Sequence, residues 1–577
     1  MNTRIALKPY LETITNDCSG LSKQELTQVI LGLAKDELTS RRVPFLQKFQ
    51  SLLPENGSKD TIVADVKTIL NDIQALKESI VERIEAIENG DYEQLDDWDW
   101  EDYHDDDEPD YTNDEQMEDL ASLFQDAENL FLNDQIEGSR TLYAALFNLM
   151  DEIDDYRLIQ SELDVDIREE RARYARCVYD TSGENKRLDE FAATMALGAS
   201  NRYNERMIDE SYPLLQDVID TREDEMADLQ SFYEVWKKFL VNKGINGRPA
   251  SLLIEAVNHL EGIEGVVKLA RTWQNDQPYG YLFWLTCLKQ KNRLDDIVEV
   301  SKEALQVLKA GNAREKISEF LIEAGELSGS RVYVLEGKRE KFFSNLCDEN
   351  LLGLQNEAVE QDKRDEELDS VLGFFANQKG MEDNRKSLYL KSLLMAGRLD
   401  DAFVMVEQAK SIGWSYGLNI GLVFGAVAIV AAEYAENAGI IEELLTGYAG
   451  RNAVYSYRIT VKEVSCDITF YNEIIKGIQR IEFSKSKLEK YFDWALTIGK
   501  NRIDHIVSNQ NRGAYKRAAQ VLGALAEVYA AKGDVGKAEK IIHEYFKEKY
   551  NRHSAFKKEV KKVVSHSKLL QNIGISV

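Results

Sequence analysis

The stretch Leu522–Ile542, LGALAEVYAAKGDVGKAEKII, decides how this chain is to be read. Ala526, Tyr529, Gly533, Ala538 and Ile542 fall at intervals of three, four, five and four residues. Small side chains at Ala526 and Ala538 let two antiparallel helices approach closely. Tyr529 and Ile542 fill the space between them, and Gly533 supplies the backbone freedom to leave the first helix. In helical arrays such a pair of helices recurs about every 34 residues. One hairpin cannot bury its apolar face alone, so the stretch predicts neighbours of the same kind.

Two further copies are legible. Residues 292–297, NRLDDI, and 397–402, GRLDDA, read as the turns of two successive hairpins, and Gly397, Ala402, Val406 and Ala409 keep the repeat spacing in the second. The expected fold is all-α: a TPR-like helical repeat, or α-solenoid, over 250–577, with a small N-terminal helical domain at 1–90. Proline usage agrees. Only 7 prolines occur among the 577 residues and the last is Pro278, which leaves the second half free for uninterrupted helices.

The N-terminal domain begins with Ser22 and Glu25 in a capping-box pattern ahead of Leu26, Val29, Ile30 and Leu33. A second helix carries Phe45, Phe49 and Leu52 and stops at Pro54–Gly57. A third, from about Asp60 to Glu88, carries Ile62, Val66, Ile69, Leu70, Ile73, Leu76, Ile80, Ile84 and Ile87. Residues 91–118 follow as an acidic linker without a single Lys or Arg, in which Trp98, Trp100, Tyr103 and Tyr111 are embedded. Two readings stand side by side: a solvated tether, or an aromatic strip that docks on a basic groove. Helical hairpins and long helices occupy 119–245, with a boundary at the glycine- and proline-containing segment Val241–Pro249. For 454–470 the β-branched residues suit a strand and the remaining pattern suits a helix equally well.

Charge and cysteine usage exclude several classes. A net charge of −30 opposes general nucleic-acid binding, because the phosphate backbone would be repelled. Five dispersed cysteines without CxxC spacing read as reduced thiols of a cytoplasmic protein. The N-terminus lacks the apolar run of a secretory signal. Between Lys410 and Glu433 lie 22 uncharged residues, but Ser411, Gly413, Ser415, Gly417 and Asn419 shorten the apolar part. A helix buried in protein is therefore expected there, not a membrane span.

Catalytic and metal motifs are not found. There is no phosphate loop, HExxH or GxSxG, and the six histidines do not share ligand spacing, so no metal or cofactor is expected. Cys177 has cationic neighbours but no local histidine and reads as a packed thiol. One charge feature stands apart: Lys537–Lys568 holds ten Lys or Arg against four Glu. Lys557, Lys558, Lys561 and Lys562 lie opposite the apolar stripe Phe556, Val560, Val563 on one helix. That face reads as a solvated surface, as a site for an acidic protein partner, or as a seat for the acidic strip. RNA is disfavoured, because no aromatics interleave the lysines.

Ala313–Gly325 with Glu336–Phe343, the Gly413-Trp-Ser415 step, Arg502–Tyr515 and Tyr550–Glu559 resemble the helical module of bacterial SWIM-type zinc-finger proteins. The resemblance covers roughly 280–577 and implies the helical fold. The CxC and Cys-x-His ligands of that finger are absent here, so neither zinc nor a nucleic-acid role is implied. In length, acidity, helical character and two-part layout, the chain also resembles the helical accessory protein of type III-E CRISPR antiviral systems. That second resemblance implies cleavage by a caspase-like, RNA-activated protease and control of a sigma factor. The function expected from the residues is that of a non-catalytic helical-repeat protein binding other proteins as scaffold or regulator. Its candidate partner-binding residues are Trp98, Trp100, Tyr103, Lys557, Lys558, Lys561 and Lys562.

Overall fold

The computed structural model describes residues 5–36, 45–46, 49–50, 66–89, 111–153, 163, 165–197, 211–378, 380–413, 419–450 and 469–575. Every regular element among them is a helix. Pro54–Gly57, the strip around Trp98, Trp100 and Tyr103, the Trp414–Ser415 step and nearly all of 454–470 lie outside the described residues. The chain divides into two compact units, Met1–Phe283 and Trp284–Val577.

The N-terminal unit runs through α1 (Leu7–Ser19), α2 (Lys23–Asp36), α3 (Val66–Asn89), α4 (Asp114–Leu132), α5 (Ile136–Glu152), α6 (Ile167–Thr181), α7 (Glu184–Thr194), α8 (Leu215–Ile219), α9 (Leu229–Lys243) and α10 (Arg248–Trp273). Ser22 and Glu25 form the expected capping box at α2. The isoleucine stripe of α3 is buried with Leu120, Leu130 and Leu146 of α4 and α5. Asn113 and Gln116 cap α4 reciprocally, so Asp114–Glu118, the end of the predicted linker, form the first turn of a helix. α6 is the least apolar helix of the core and yet is largely buried, because its arginines are paired with acids from other segments: Arg168 with Asp217 of α8, Arg173 with Glu128 of α4, and Arg176 with Asp224.

α11 (Tyr279–Gln290) spans the division, and the C-terminal unit continues with α12 (Leu294–Val307), α13 (Asn312–Ser328), α14 (Arg331–Ser344), α15 (Asp348–Glu360), α16 (Arg364–Ala376), α17 (Asp383–Met395) and α18 (Leu399–Val406). Hairpins begin at Tyr279, Asn312, Asp348 and Asp383, at intervals of 33, 36 and 35 residues. The period is also written in ion pairs: Lys289–Glu323 at 2.6 Å and Lys302–Glu336 at 3.0 Å both join residues 34 apart. The turns share one geometry. A residue with positive φ donates its N–H to the carbonyl three back, and the next N–H reaches the carbonyl five back, as in Gly397→Leu394 with Arg398→Leu393. The NRLDDI and GRLDDA turns are not successive, contrary to the sequence reading. The turns at Gly329 and Asp362 stand between them; the Gly329 turn shares no motif with them, and Asp362-Lys-Arg-Asp-Glu keeps their basic residue and two acids but has Arg364 in place of the leucine. Asn292 and Asp362 adopt the left-handed backbone without glycine, which short polar side chains tolerate.

The remaining helices are α19 (Ile420–Ala431), α20 (Gly439–Ala449), α21 (Phe470–Ile478), α22 (Lys485–Ser508), α23 (Tyr515–Ala531), α24 (Val535–His543), a π turn at Glu544–Lys549, α25 (Ser554–His566) and α26 (Lys568–Asn572). Here the linear stacking gives way to a bundle. Gly421 to Ala431 of α19 are all buried, with α17, α18, α20, α21, α22 and α23 packed around them. No described helix is long and apolar enough to cross a membrane. Gly425 lets α20 approach to where a Cβ would lie 3.2 Å from the Leu445 backbone. In the hairpin of α23 and α24, Gly533 turns the chain at φ 77° and Ala526, Ala538 and Ile542 are buried as expected. Tyr529 is half-buried between two neighbours: its ring packs at a right angle to Phe492 of α22, 5.1 Å between centroids, and Lys537 of α24 extends over it with Nζ 5.8 Å from the ring centre.

Two buried polar devices tie this unit together. Arg364 of α16 donates to fully buried Glu473 of α21 at 2.7 Å and to the Met395 carbonyl at 2.8 Å, closing α16 and α17 onto α21. Glu527 of α23, also fully buried, accepts from the Ile440 and Ile441 N–H groups at the start of α20 and from Ser567 Oγ at 2.6 Å. It satisfies helix N–H groups that no residue of α20 itself caps.

Three substitutions test this packing by denaturant unfolding. Gly477→Ala would place a Cβ 2.3 Å from the Leu394 and Met395 carbonyl oxygens, so a loss of about 1–3 kcal/mol is expected. Gly447→Ala, on a helix with open space around it, should be neutral or stabilising by up to about 1 kcal/mol. Glu527→Ala strands its donors and should cost about 1–3 kcal/mol. Burial raises the Glu527 carboxyl above its ordinary 4.5 despite its donors. The folded state therefore holds that proton more tightly, and stability is expected to fall as pH rises above 4.5. Glu527→Gln should flatten this dependence.

Candidate interaction surface

The surface forms because α25 is amphipathic. Phe556, Val560, Val563 and Val564 are buried, α25 packs on α23, and this fixes the rotation of the helix. The opposite side must then face water, and it carries Lys558, Lys561 and Lys562 exposed with Lys557 half-buried. Lys557 and Lys561, one turn apart, extend over Phe546 of the π turn, with Nζ 4.6 and 5.8 Å from the ring centre. Such contacts are worth about 0.5–1 kcal/mol at exposed sites and steady the two stems. The sequence placed these lysines correctly on one face; it did not reveal the contact with Phe546, eleven residues before Lys557.

The π turn itself is held from below. Lys549 pairs with Asp504 of α22 at 2.6 Å, and the Tyr550 hydroxyl lies 3.0 Å from the same carboxylate. Beside it a shallow groove is lined by Gly536, Glu539, Lys540, His543, Glu544 and Glu548. His543 stands 3.5 Å from Glu548 and belongs to this exposed rim. Among the described residues no group of three His, Cys, Asp or Glu side chains is placed to hold a metal ion.

Charge is unevenly divided. Residues 1–283 hold 28 of the 71 Lys and Arg and 60 of the 101 Asp and Glu, a net −32. The C-terminal unit keeps 43 against 41 and is close to neutral. The basic helix therefore does not sit in acidic surroundings of its own unit, as the total charge of the chain suggests.

The other titratable clusters are internally matched. In the N-terminal unit the Tyr143 hydroxyl donates to Glu170 at 2.5 Å, Glu170 pairs with Arg173, and Arg173 also holds Glu128 and Glu169 at 2.7 and 2.9 Å. Burial pushes Glu170 up to about 7. The sequence around Ile167 shows a charged helix but gives no sign that its charges lie inside. Cys177 lies on the same helix, fully buried, 3.6 Å from Ser139 Oγ. Burial pushes its thiol up to about 12, which removes the thiolate that nucleophilic chemistry needs. Of the expected partner-binding residues, the structure brings the four lysines together, while Trp98, Trp100 and Tyr103 lie outside the described residues.

No known protein family matches the chain, and no curated protein does either.

The buried thiol is directly testable. Wild type and Cys177→Ser should give the same count of reactive thiols when native and differ by one in denaturant. Rapid native labelling of Cys177 would show that the α5–α6 packing opens.

Proposed function

We propose that this chain is a non-catalytic helical-repeat scaffold that binds protein partners. The observation that carries the reading is the regular succession of hairpins from Tyr279 to Val406, stitched by ion pairs 34 residues apart. Repeats of this kind present the same surface positions again and again, which suits extended protein recognition. Apolar side chains stand out along it: Leu327 and Val332, 64% and 59% exposed, flank the Gly329 turn, and Val404 on α18 is 65% exposed. Anchors of this type supply binding energy in a protein interface when a partner covers them. Chemistry receives no comparable support, because the buried thiol and the buried carboxylates are occupied by packing partners.

The test is affinity purification of the tagged full chain from its native lysate, followed by mass spectrometry. A stoichiometric partner is expected, and Leu327→Asp with Val332→Asp is expected to weaken its retention at least about tenfold. Recovery of the chain alone and monomeric would overturn the reading. A protease or a sigma factor, the partners that the CRISPR resemblance implies, would be named by the same experiment.

A further inference from the structure

We propose that the two lysine rows of α25 dock an acidic helical segment of a partner protein; the proposal rests on the scaffold reading and names one of its binding sites. Some lysines of the C-terminal unit pair with carboxylates: Lys302 with Glu336, Lys391 with Asp348, Lys476 with Glu473, Lys549 with Asp504. None of Lys557, Lys558, Lys561 and Lys562 has an ion pair among the described residues, although Glu559 lies on the same helix. What sets these four apart is that they stand together on one face of one helix, with two of them ordered over Phe546.

Geometry narrows the occupant. Lys557 and Lys561 form one row, Lys558 and Lys562 the next, each with a four-residue step of about 6 Å along the axis. A second helix carrying Glu or Asp at i and i+4 has the same step, so its carboxylates meet both members of a row. The row over Phe546 is already ordered, which lowers the entropy lost when a partner binds. An anionic membrane is a poor match, because the apolar residues of α25 are buried and leave nothing to insert. A nucleic-acid duplex fits less well again. It carries one charge per about 1.7 Å, against a rim that includes Glu539, Glu544 and Glu548 and a unit at net −32 in the same chain. A short acidic helix meets the lysines without placing that dense charge along the rim.

The experiment uses the full chain and three fluorescent probes: a Glu-rich helical peptide of about 20 residues, long enough to hold helix, a DNA duplex of similar length, and vesicles containing phosphatidylserine. Saturable peptide binding that weakens with salt is expected. Lys558→Glu with Lys562→Glu, on the row that makes no contact with Phe546, should weaken it about tenfold or more. Lys558→Arg with Lys562→Arg should preserve it. Peptide binding unmoved by the Glu variant, or tighter binding of duplex or vesicles through the same lysines, would overturn the proposal. A folded Glu variant is confirmed by an unchanged unfolding midpoint. If that variant retains from lysate every partner that wild type retains, the docking proposal fails while the scaffold reading stands. If wild type retains no partner, the scaffold reading fails with it.

Discussion

A helix with no polar side cannot be left facing water, and α19 imposes that condition on the C-terminal unit. From Gly421 to Ala431 it offers only apolar or small side chains, so it must be covered all round. α20 approaches closely over Gly425, α22 brings Gly499 against Phe424, and α17, α18, α21 and α23 supply the rest. This explains why regular stacking of hairpins stops at α18. A linear array covers each helix from two sides, whereas α19 needs a bundle. The chain meets that need by returning α21 onto α17, where Arg364 and Glu473 lock the junction. A buried charged pair tolerates the loss of neither partner, because the survivor stays desolvated and unpaired. The contact thereby selects one arrangement of α16, α17 and α21.

The N-terminal unit solves the same problem with opposite chemistry. Its central helix, α6, is polar by composition and is buried through arginines that find carboxylates on α4, on α8 and in the segment after α8. Desolvating these charges is costly, and the return comes as fixed register among elements whose own sequences are short and acidic. Glu255 extends the principle: it sits on α10 and accepts from the first two N–H groups of α8, as Glu527 does for α20. In each unit a carboxylate from a distant helix supplies the cap that the local sequence lacks.

The lysine face of α25 is a consequence of the bundle. Four apolar residues lock one side of the helix into the core, and the basic side is then held outward whether or not anything binds it. Lys302, Lys391 and Lys549 find acids because other helices bring Glu336, Asp348 and Asp504 to them. α25 is one of the last helices, packed chiefly on the apolar α23, and among the described residues no neighbour supplies a carboxylate to these four.

The sequence by itself determined whatever depends on local spacing. The all-helical class, the Ser22–Glu25 cap, the isoleucine stripe of α3, the Gly533 turn and the lysine face of α25 follow from residues within one or two turns of each other. The buried fate of the stretch after Asn419 was legible too, from length and composition. The tertiary structure alone decided what depends on distant partners. The NRLDDI and GRLDDA turns proved to be separated by two others: Asp362 makes the same left-handed turn as glycine with Arg364 in place of the leucine, and the Gly329 turn shares no motif with them. Tyr529 meets Phe492 of α22 as well as Lys537 of its own hairpin. The arginines of α6, the Arg364–Glu473 lock and the Glu527 cap join residues 40 to 109 apart. A charged side chain carries no local sign of whether its counter-charge will arrive from across the fold, so only the folded chain distinguishes a solvated helix face from a buried network.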